Sequence, residues 1–159
     1  MLYLTRRSRL AAIAAVALLS LGASACQTTD DPDEPEIESI RLTISGQPSI
    51  TVSSTGVQSG TLTLTQNVAT TIQVEFLDAS GAAGLGEHAD EFQAQVTPVA
   101  GSGITFARTG PFAGTLTGAT VGTGRGVSFS LLHIEENHED FGPFTVNFTV
   151  NAPPTVVQR

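Results

Sequence analysis

Apolar and polar residues alternate with a period of two along most of this chain, from Ile37 to Val150. This period is typical of half-buried β-strands, and no segment keeps the 3.6-residue period of an amphipathic helix. Threonine, valine and phenylalanine, which suit a pleated surface, are frequent in these segments. The apolar residues that would share one face are Ile72, Val74 and Phe76; Phe92, Ala94 and Val96; Val127, Phe129 and Leu131; and Phe144, Val146, Phe148 and Val150.

Short runs rich in glycine and serine separate these segments, among them "STGVQSG", "ASGAAGLG" and "TVGTG". About seven to nine short antiparallel strands divided by such turns are typical of one β-sandwich. We therefore predict an all-β fold, a single β-sandwich over residues 37–152, followed by a tail over residues 153–159. The single cysteine, Cys26, cannot form an internal disulfide. Because the chain also lacks tryptophan, phenylalanine and aliphatic packing must stabilise the core.

Two longer stretches carry a family resemblance. The stretch "TLTLTQNVATTIQVEFLDASG" is similar to the strand, turn and strand of group 2 bacterial immunoglobulin-like domains, which end in an aspartate–glycine corner, here Asp78 and Gly81. The stretch "AGTLTGATVGTGRGVSFSL" resembles that family's strand, glycine turn and next strand. The resemblance implies a spacer or binding module of a bacterial cell-surface protein and brings no catalytic residues. The chain departs from the family in the loop after Asp78 and in the histidine-bearing loop after Leu132.

Residues 1–25 have the three-part pattern of a secretory signal peptide: a basic head, the apolar run "LAAIAAVALLSLG" and the small residues "ASA". The apolar run is shorter than the roughly 20 residues of a membrane-spanning helix. Cys26 resembles the lipidated first residue of mature bacterial lipoproteins, which implies a membrane anchor. Ordinary signal peptidase cleavage just before an incidental cysteine is the alternative. Gln27 resembles the residue that follows the cysteine in lipoproteins passed on to the outer membrane.

Residues 26–36 would connect this cysteine to the sandwich through "QTTDDPDEPE", an acidic stretch with prolines and no apolar face. We predict a disordered, extended linker that reaches about 30 Å, at roughly 3.1 Å per residue. The chain has no lysine, and its formal net charge is −8. Removal of the signal peptide would also remove Arg6, Arg7 and Arg9. A chain this acidic repels nucleic acid and attracts cations.

An immunoglobulin-like strand order would bring the three histidines to one end of the sandwich. Strand B would end at Asp78 and strand C would begin near Glu91, while strand F would end at Leu132 and strand G would be "FTVNFTV". Because successive strands alternate in direction, the B–C and F–G loops emerge at the same end. The candidate metal ligands in these two loops are His88, Asp90, His133, His138 and Asp140.

Imidazole and carboxylate groups in this combination bind zinc or copper in proteins. His133 continues the alternation of strand F, so we expect its side chain at the inner rim of the sandwich. Three alternatives remain open. The histidines could be solvated loop residues, with His133 bonded to a loop carbonyl, or the loop pair could respond to pH near neutrality. Loop carboxylates could instead bind calcium, and these are Glu87, Asp90, Glu91, Glu139 and Asp140.

The sequence therefore predicts a non-catalytic, lipid-anchored immunoglobulin-like module of the cell envelope, exported to the outer membrane. It would present the B–C and F–G loops to an envelope protein or glycan. The alternative is an envelope lipoprotein that binds zinc or copper through its histidines and acids. An enzyme is not expected, because no serine has the setting of a nucleophile with a histidine partner.

Overall fold

A computed structural model describes residues 36–155 of the chain. The predicted signal peptide, Cys26, the linker up to residue 35 and residues 156–159 of the predicted tail lie outside the described residues. Within residues 36–155, no helix is long and apolar enough to cross a membrane.

Nine β-strands and one short 3₁₀ turn make up the described part of the chain. The turn, Gly86–His88, lies between the fourth and fifth strands. The strands are β1 (Ser39–Ile44), β2 (Ile50–Ser53), β3 (Leu62–Thr65), β4 (Ala69–Leu77), β5 (Phe92–Pro98), β6 (Ile104–Gly110), β7 (Ala113–Gly118), β8 (Gly122–His133) and β9 (His138–Asn151).

The strands form two sheets, with the orders β2-β1-β4-β7-β6 and β3-β9-β8-β5. In an immunoglobulin-like sandwich, strands A, B, E and D form one sheet and strands C, F and G belong to the other. The run β1-β4-β7-β6 corresponds to A, B, E and D, and β5-β8-β9 corresponds to C, F and G. The predicted all-β sandwich is therefore confirmed. Within residues 36–155 one pair departs from the expected antiparallel arrangement, because β3 lies parallel to β9 at the edge of the second sheet.

The two sheets enclose one hydrophobic core. Buried and half-buried residues alternate along β1, as they must when one face of a strand points inward. The largest buried side chains include Phe76, Phe92, Phe129 and Phe148, each at most 2% exposed. Burying a side chain of this size stabilises the fold by roughly 1.5–3 kcal/mol. The inward faces predicted from the sequence are correct, and Phe144 is half-buried against the core.

Two strand limits differ from the sequence prediction. The glycine segment that was expected to form a turn before strand F already belongs to β8, which begins at Gly122. The predicted F–G loop is also mostly strand, because β8 and β9 pair as far as His133 and His138. Only residues 134–137 form the turn, which Asn137 closes with a φ of 54° and a bond from its N–H to the His133 carbonyl at 2.9 Å. Asparagine tolerates this left-handed conformation better than most residues, so the hairpin can close tightly.

The chain enters the sandwich at the end that carries the B–C loop (residues 78–91) and the F–G turn (residues 134–137). We call this the histidine end. The Glu38 N–H donates to the Leu77 carbonyl at 2.9 Å, and Ser39 pairs with Leu77, the last residue of strand B. The linker predicted from the sequence would therefore join the sandwich here.

The inward face of β7 can be tested with one buried residue and its outward neighbour. Leu116 is fully buried, whereas Thr117 is only half-buried. We expect Leu116→Ala to lower the free energy of unfolding by about 2–5 kcal/mol, since it leaves a cavity in the core. Thr117→Ala should cost at most about 1 kcal/mol. Urea denaturation measures both values, and equal losses would contradict the assigned orientation of β7.

Candidate functional site

The F–G hairpin brings two histidines face to face. His133 ends β8, His138 begins β9, and the two are paired across the ladder, so their side chains lie on the same face of the hairpin. Their ring centroids are 5.6 Å apart. His133 also pairs with the buried Phe92 of β5, and the centroids of these two rings are 4.7 Å apart. The side chain of His133 is only 14% exposed, which confirms its predicted place at the inner rim of the sandwich.

A β-bulge adds an acid to this face. Leu132 pairs with Glu139 and Leu131 pairs with Phe141, so β9 contains one residue more than β8, namely Asp140. Bulges of this kind redirect side chains next to functional sites. The Asp140 carboxylate contacts Nε2 of His138 and lies 3.9 Å from Nδ1 of His133.

The turn itself supplies a second acid, Glu136. Its Oε2 atom lies 3.2 Å from Nδ1 of His138 and 3.8 Å from Nδ1 of His133. One ligand atom from each of His133, Glu136 and His138 lies within 4.8 Å of the other two. Among residues 36–155 this is the one set of three histidine, cysteine or acidic residues with such spacing. We call it, together with Asp140, the hairpin cluster.

Nδ1 of His133 is buried and has no hydrogen-bond partner. The nearest carboxylate oxygens, on Glu136 and Asp140, are 3.8 and 3.9 Å away, beyond hydrogen-bonding distance. A buried polar atom without a partner costs roughly 1–3 kcal/mol. The alternative of a bond from His133 to a loop carbonyl is therefore not seen at this nitrogen, whose nearest carboxylates belong to the hairpin cluster.

The hairpin cluster contains three of the five predicted ligands, His133, His138 and Asp140. His88 and Asp90 are not members of it. Glu136 was missed by the sequence analysis, because the F–G segment was expected to be an open loop. The signal was present in "EENH": an asparagine that can adopt a positive φ closes a tight turn, which places the preceding glutamate between the two histidines.

The B–C loop touches the hairpin through its backbone, as predicted from the strand order. The Ile134 N–H donates to the Glu91 carbonyl at 2.8 Å. The side chain of His88 instead faces its own loop, with Nδ1 3.4 Å from Oε1 of Glu91. His88 and Glu91 are three residues apart in consecutive turns, and this spacing places side chains one above the other in 3₁₀ geometry. Local backbone geometry therefore pairs His88 with Glu91, and His88 does not belong to the hairpin cluster.

The carboxylates predicted for calcium do not gather into one site. Glu91 faces His88, Asp140 faces His138, and Glu139 accepts a hydrogen bond from the buried Ser130 at 2.8 Å. Calcium requires six to eight oxygen ligands. The described residues bring no three of these five carboxylates together.

Asp78 forms the predicted corner after strand B. Its Oδ1 atom accepts hydrogen bonds from Ser80 Oγ at 2.7 Å, from Ser80 N at 2.8 Å and from Ala82 N at 3.0 Å. Gly81 has a φ of 80°, as expected for the glycine of such a corner. The Ser80 hydroxyl bond, followed by the Ala82 amide bond, lowers the pKa of Asp78 below its ordinary value of 3.8. The corner fixes the start of the B–C loop.

Comparison of the chain with protein-family models, curated proteins and solved structures finds no match. The resemblance to group 2 immunoglobulin-like domains therefore depends on the quoted segments, and the site depends on its geometry. The class of protein that the structure defines is an all-β sandwich with an acidic, histidine-bearing end.

The hydrogen bonds of the Asp78 corner can be tested through the pKa of this carboxyl group. We expect Ser80→Ala to raise the pKa of Asp78 towards 3.8, because the largest stabiliser of its charged form is lost. In the parent protein the folded pKa is lowered, so this carboxylate stabilises the fold at neutral pH. That stabilisation is lost as the pH falls through the folded pKa, below about 4.

NMR titration of the Asp78 carboxyl carbon measures this pKa, and thermal unfolding between pH 7 and pH 2 measures the stability. Ser45→Ala, at the opposite end of β1, is the control. An unchanged pKa of Asp78 in Ser80→Ala would show that the corner bonds do not form in solution.

Proposed function

We propose that the chain is an exported, non-catalytic, lipid-anchored module of the cell envelope, carried on Cys26. The observation that supports it most directly is the immunoglobulin-like strand order of the sandwich. Domains of this architecture serve as spacers and binding modules in the family that the sequence resembles. The predicted signal peptide, the cysteine after it and the acidic linker supply the membrane attachment.

The point of entry of the chain refines this proposal. Residues 36–38 lie at the histidine end, where Ile37 packs beside Gly84 of the B–C loop. An anchored chain would therefore be held from its histidine end. A linker of about ten residues reaches roughly 30 Å, so the B–C loop and F–G turn would meet partners close to the membrane.

The chemistry of the histidine end indicates the kind of partner. Ile134 is 46% exposed in the F–G turn, where Glu135 and Glu136 follow it in the sequence. The acidic residues among residues 36–155 lie in or next to this end, and they are Glu36, Glu38, Glu75, Asp78, Glu87, Asp90, Glu91, Glu135, Glu136, Glu139 and Asp140. Such a surface suits an envelope protein with a basic rim around an apolar contact, or a cationic glycan, and it repels nucleic acid.

Lipidation can be tested directly at the cysteine. We expect cells grown with labelled palmitate to incorporate the label into this protein, and Cys26→Ala to abolish it, since the thiol is the acceptor. Ser24→Ala, two residues earlier, is the control and should label normally. Equal labelling of the Cys26→Ala variant, or no labelling of the parent protein, would remove the anchor from the proposal.

The destination of the anchored chain depends on the residue after the cysteine. In a host with two membranes, we expect the parent protein in the outer-membrane fraction. Gln27→Asp should shift it to the inner-membrane fraction, because aspartate at this position resembles lipoproteins that are retained there. Thr28→Asp, one residue further along, is the matched control for added charge. A parent protein found in the inner membrane would contradict the predicted location.

A further inference from the structure

We propose that the F–G hairpin holds one zinc ion. Its ligands are Nδ1 of His133, Nδ1 of His138 and Oε2 of Glu136, with water at the fourth position. The Asp140 carboxylate contacts Nε2 of His138, the ring nitrogen that would not bind the ion. This site needs no residue of the B–C loop and is independent of lipidation.

The two distances from Oε2 of Glu136 to the histidine nitrogens are close to the spacing of tetrahedral coordination. With zinc–ligand bonds of about 2.0–2.1 Å, two ligand atoms of a tetrahedral site lie about 3.3 Å apart. Oε2 of Glu136 lies 3.2 Å from Nδ1 of His138 and 3.8 Å from Nδ1 of His133. Square-planar coordination, preferred by copper(II), would need about 2.8 Å between neighbouring ligands. The observed distances are therefore closer to the zinc geometry.

The unpartnered nitrogen of His133 is a second, independent indication. Nδ1 of His133 is buried, and the His133 ring packs against the tilted ring of Phe92. This nitrogen has no hydrogen-bond acceptor or donor within reach, and a metal ion among Glu136 and His138 would give it a partner. A ligand whose orientation is fixed by packing loses little freedom when the ion binds.

Asp140 completes the arrangement. Histidine ligands of zinc usually donate their second ring N–H to a carboxylate, which fixes the tautomer and the ring orientation. In the zinc-bound state Nε2 of His138 would carry the proton and donate it to Asp140, which contacts this nitrogen, and Nδ1 would bind the ion. Two carboxylates and two neutral imidazoles also balance the charge of a divalent ion.

Calorimetric titration of the purified, chelator-treated full chain with zinc chloride tests the site. We expect one Zn²⁺ per chain with micromolar or tighter affinity, and a rise of the unfolding temperature when zinc is present. His138→Ala should abolish stoichiometric binding, and Glu136→Gln should weaken it at least about tenfold. Asp140→Asn should weaken it by about 10- to 100-fold, as expected for a residue that orients a ligand.

Two matched controls separate a defined site from general attraction to an acidic surface. Glu135→Gln changes the same charge one residue away from Glu136, and His88→Ala removes the histidine of the B–C loop. Both should leave the affinity for zinc unchanged within about twofold. Because Glu136 is 60% exposed, its variant should fold like the parent protein, which thermal unfolding without zinc verifies.

Cobalt substitution reports the geometry, since four-coordinate cobalt absorbs visible light far more strongly than six-coordinate cobalt. A strong visible spectrum that is lost in His138→Ala supports the proposal. The proposal is overturned by the absence of stoichiometric zinc binding, by equal weakening in Glu135→Gln or His88→Ala, or by displacement of zinc by equimolar calcium.

Discussion

The packing of two sheets against each other is the constraint on which the rest of this structure depends. Without an internal disulfide and without tryptophan, the fold relies on phenylalanine and aliphatic side chains that alternate inward from both sheets. Phe92 shows how this packing reaches the surface. It is buried in the core, and its ring supports the ring of His133 at the rim. The core therefore fixes one side of the hairpin cluster.

The second constraint is the register of the F–G hairpin. Without the bulge, Asp140 would pair with Leu131 and lie on the same face as this buried residue, because residues two apart on a strand share a face. The bulge places Phe141 opposite Leu131 instead and leaves Asp140 in contact with His138, while Glu139 accepts a hydrogen bond from Ser130. The neighbouring acids Glu139 and Asp140 thus have different partners. Asp140 belongs to the hairpin cluster and Glu139 does not, although the sequence around them is uniformly polar.

The acidic residues among residues 36–155 are concentrated at the histidine end. This concentration bears on both the proposed anchor and the proposed zinc site. Residues 36–38 lie at the end where the acidic residues among residues 36–155 are found, so the predicted linker would join there. Such a concentration of carboxylates raises the local concentration of cations around the hairpin. It also adds electrostatic repulsion within this end, which a bound cation or a basic partner would relieve. The proposed anchoring and the proposed ion site therefore use the same region but depend on different residues.

The sequence by itself determined the all-β class, the inward faces of the strands and the position of His133. These follow from alternation and turn residues, which are local properties of the chain. It also indicated that His88 and His138 would meet, whereas the structure separates them into two groups. Tertiary structure decided this, because the direction of His88 depends on its own 3₁₀ turn, and the partners of Glu136 and Asp140 depend on the register between β8 and β9. The register is set by how two strands pair, so the pattern of residues along one strand does not predict it.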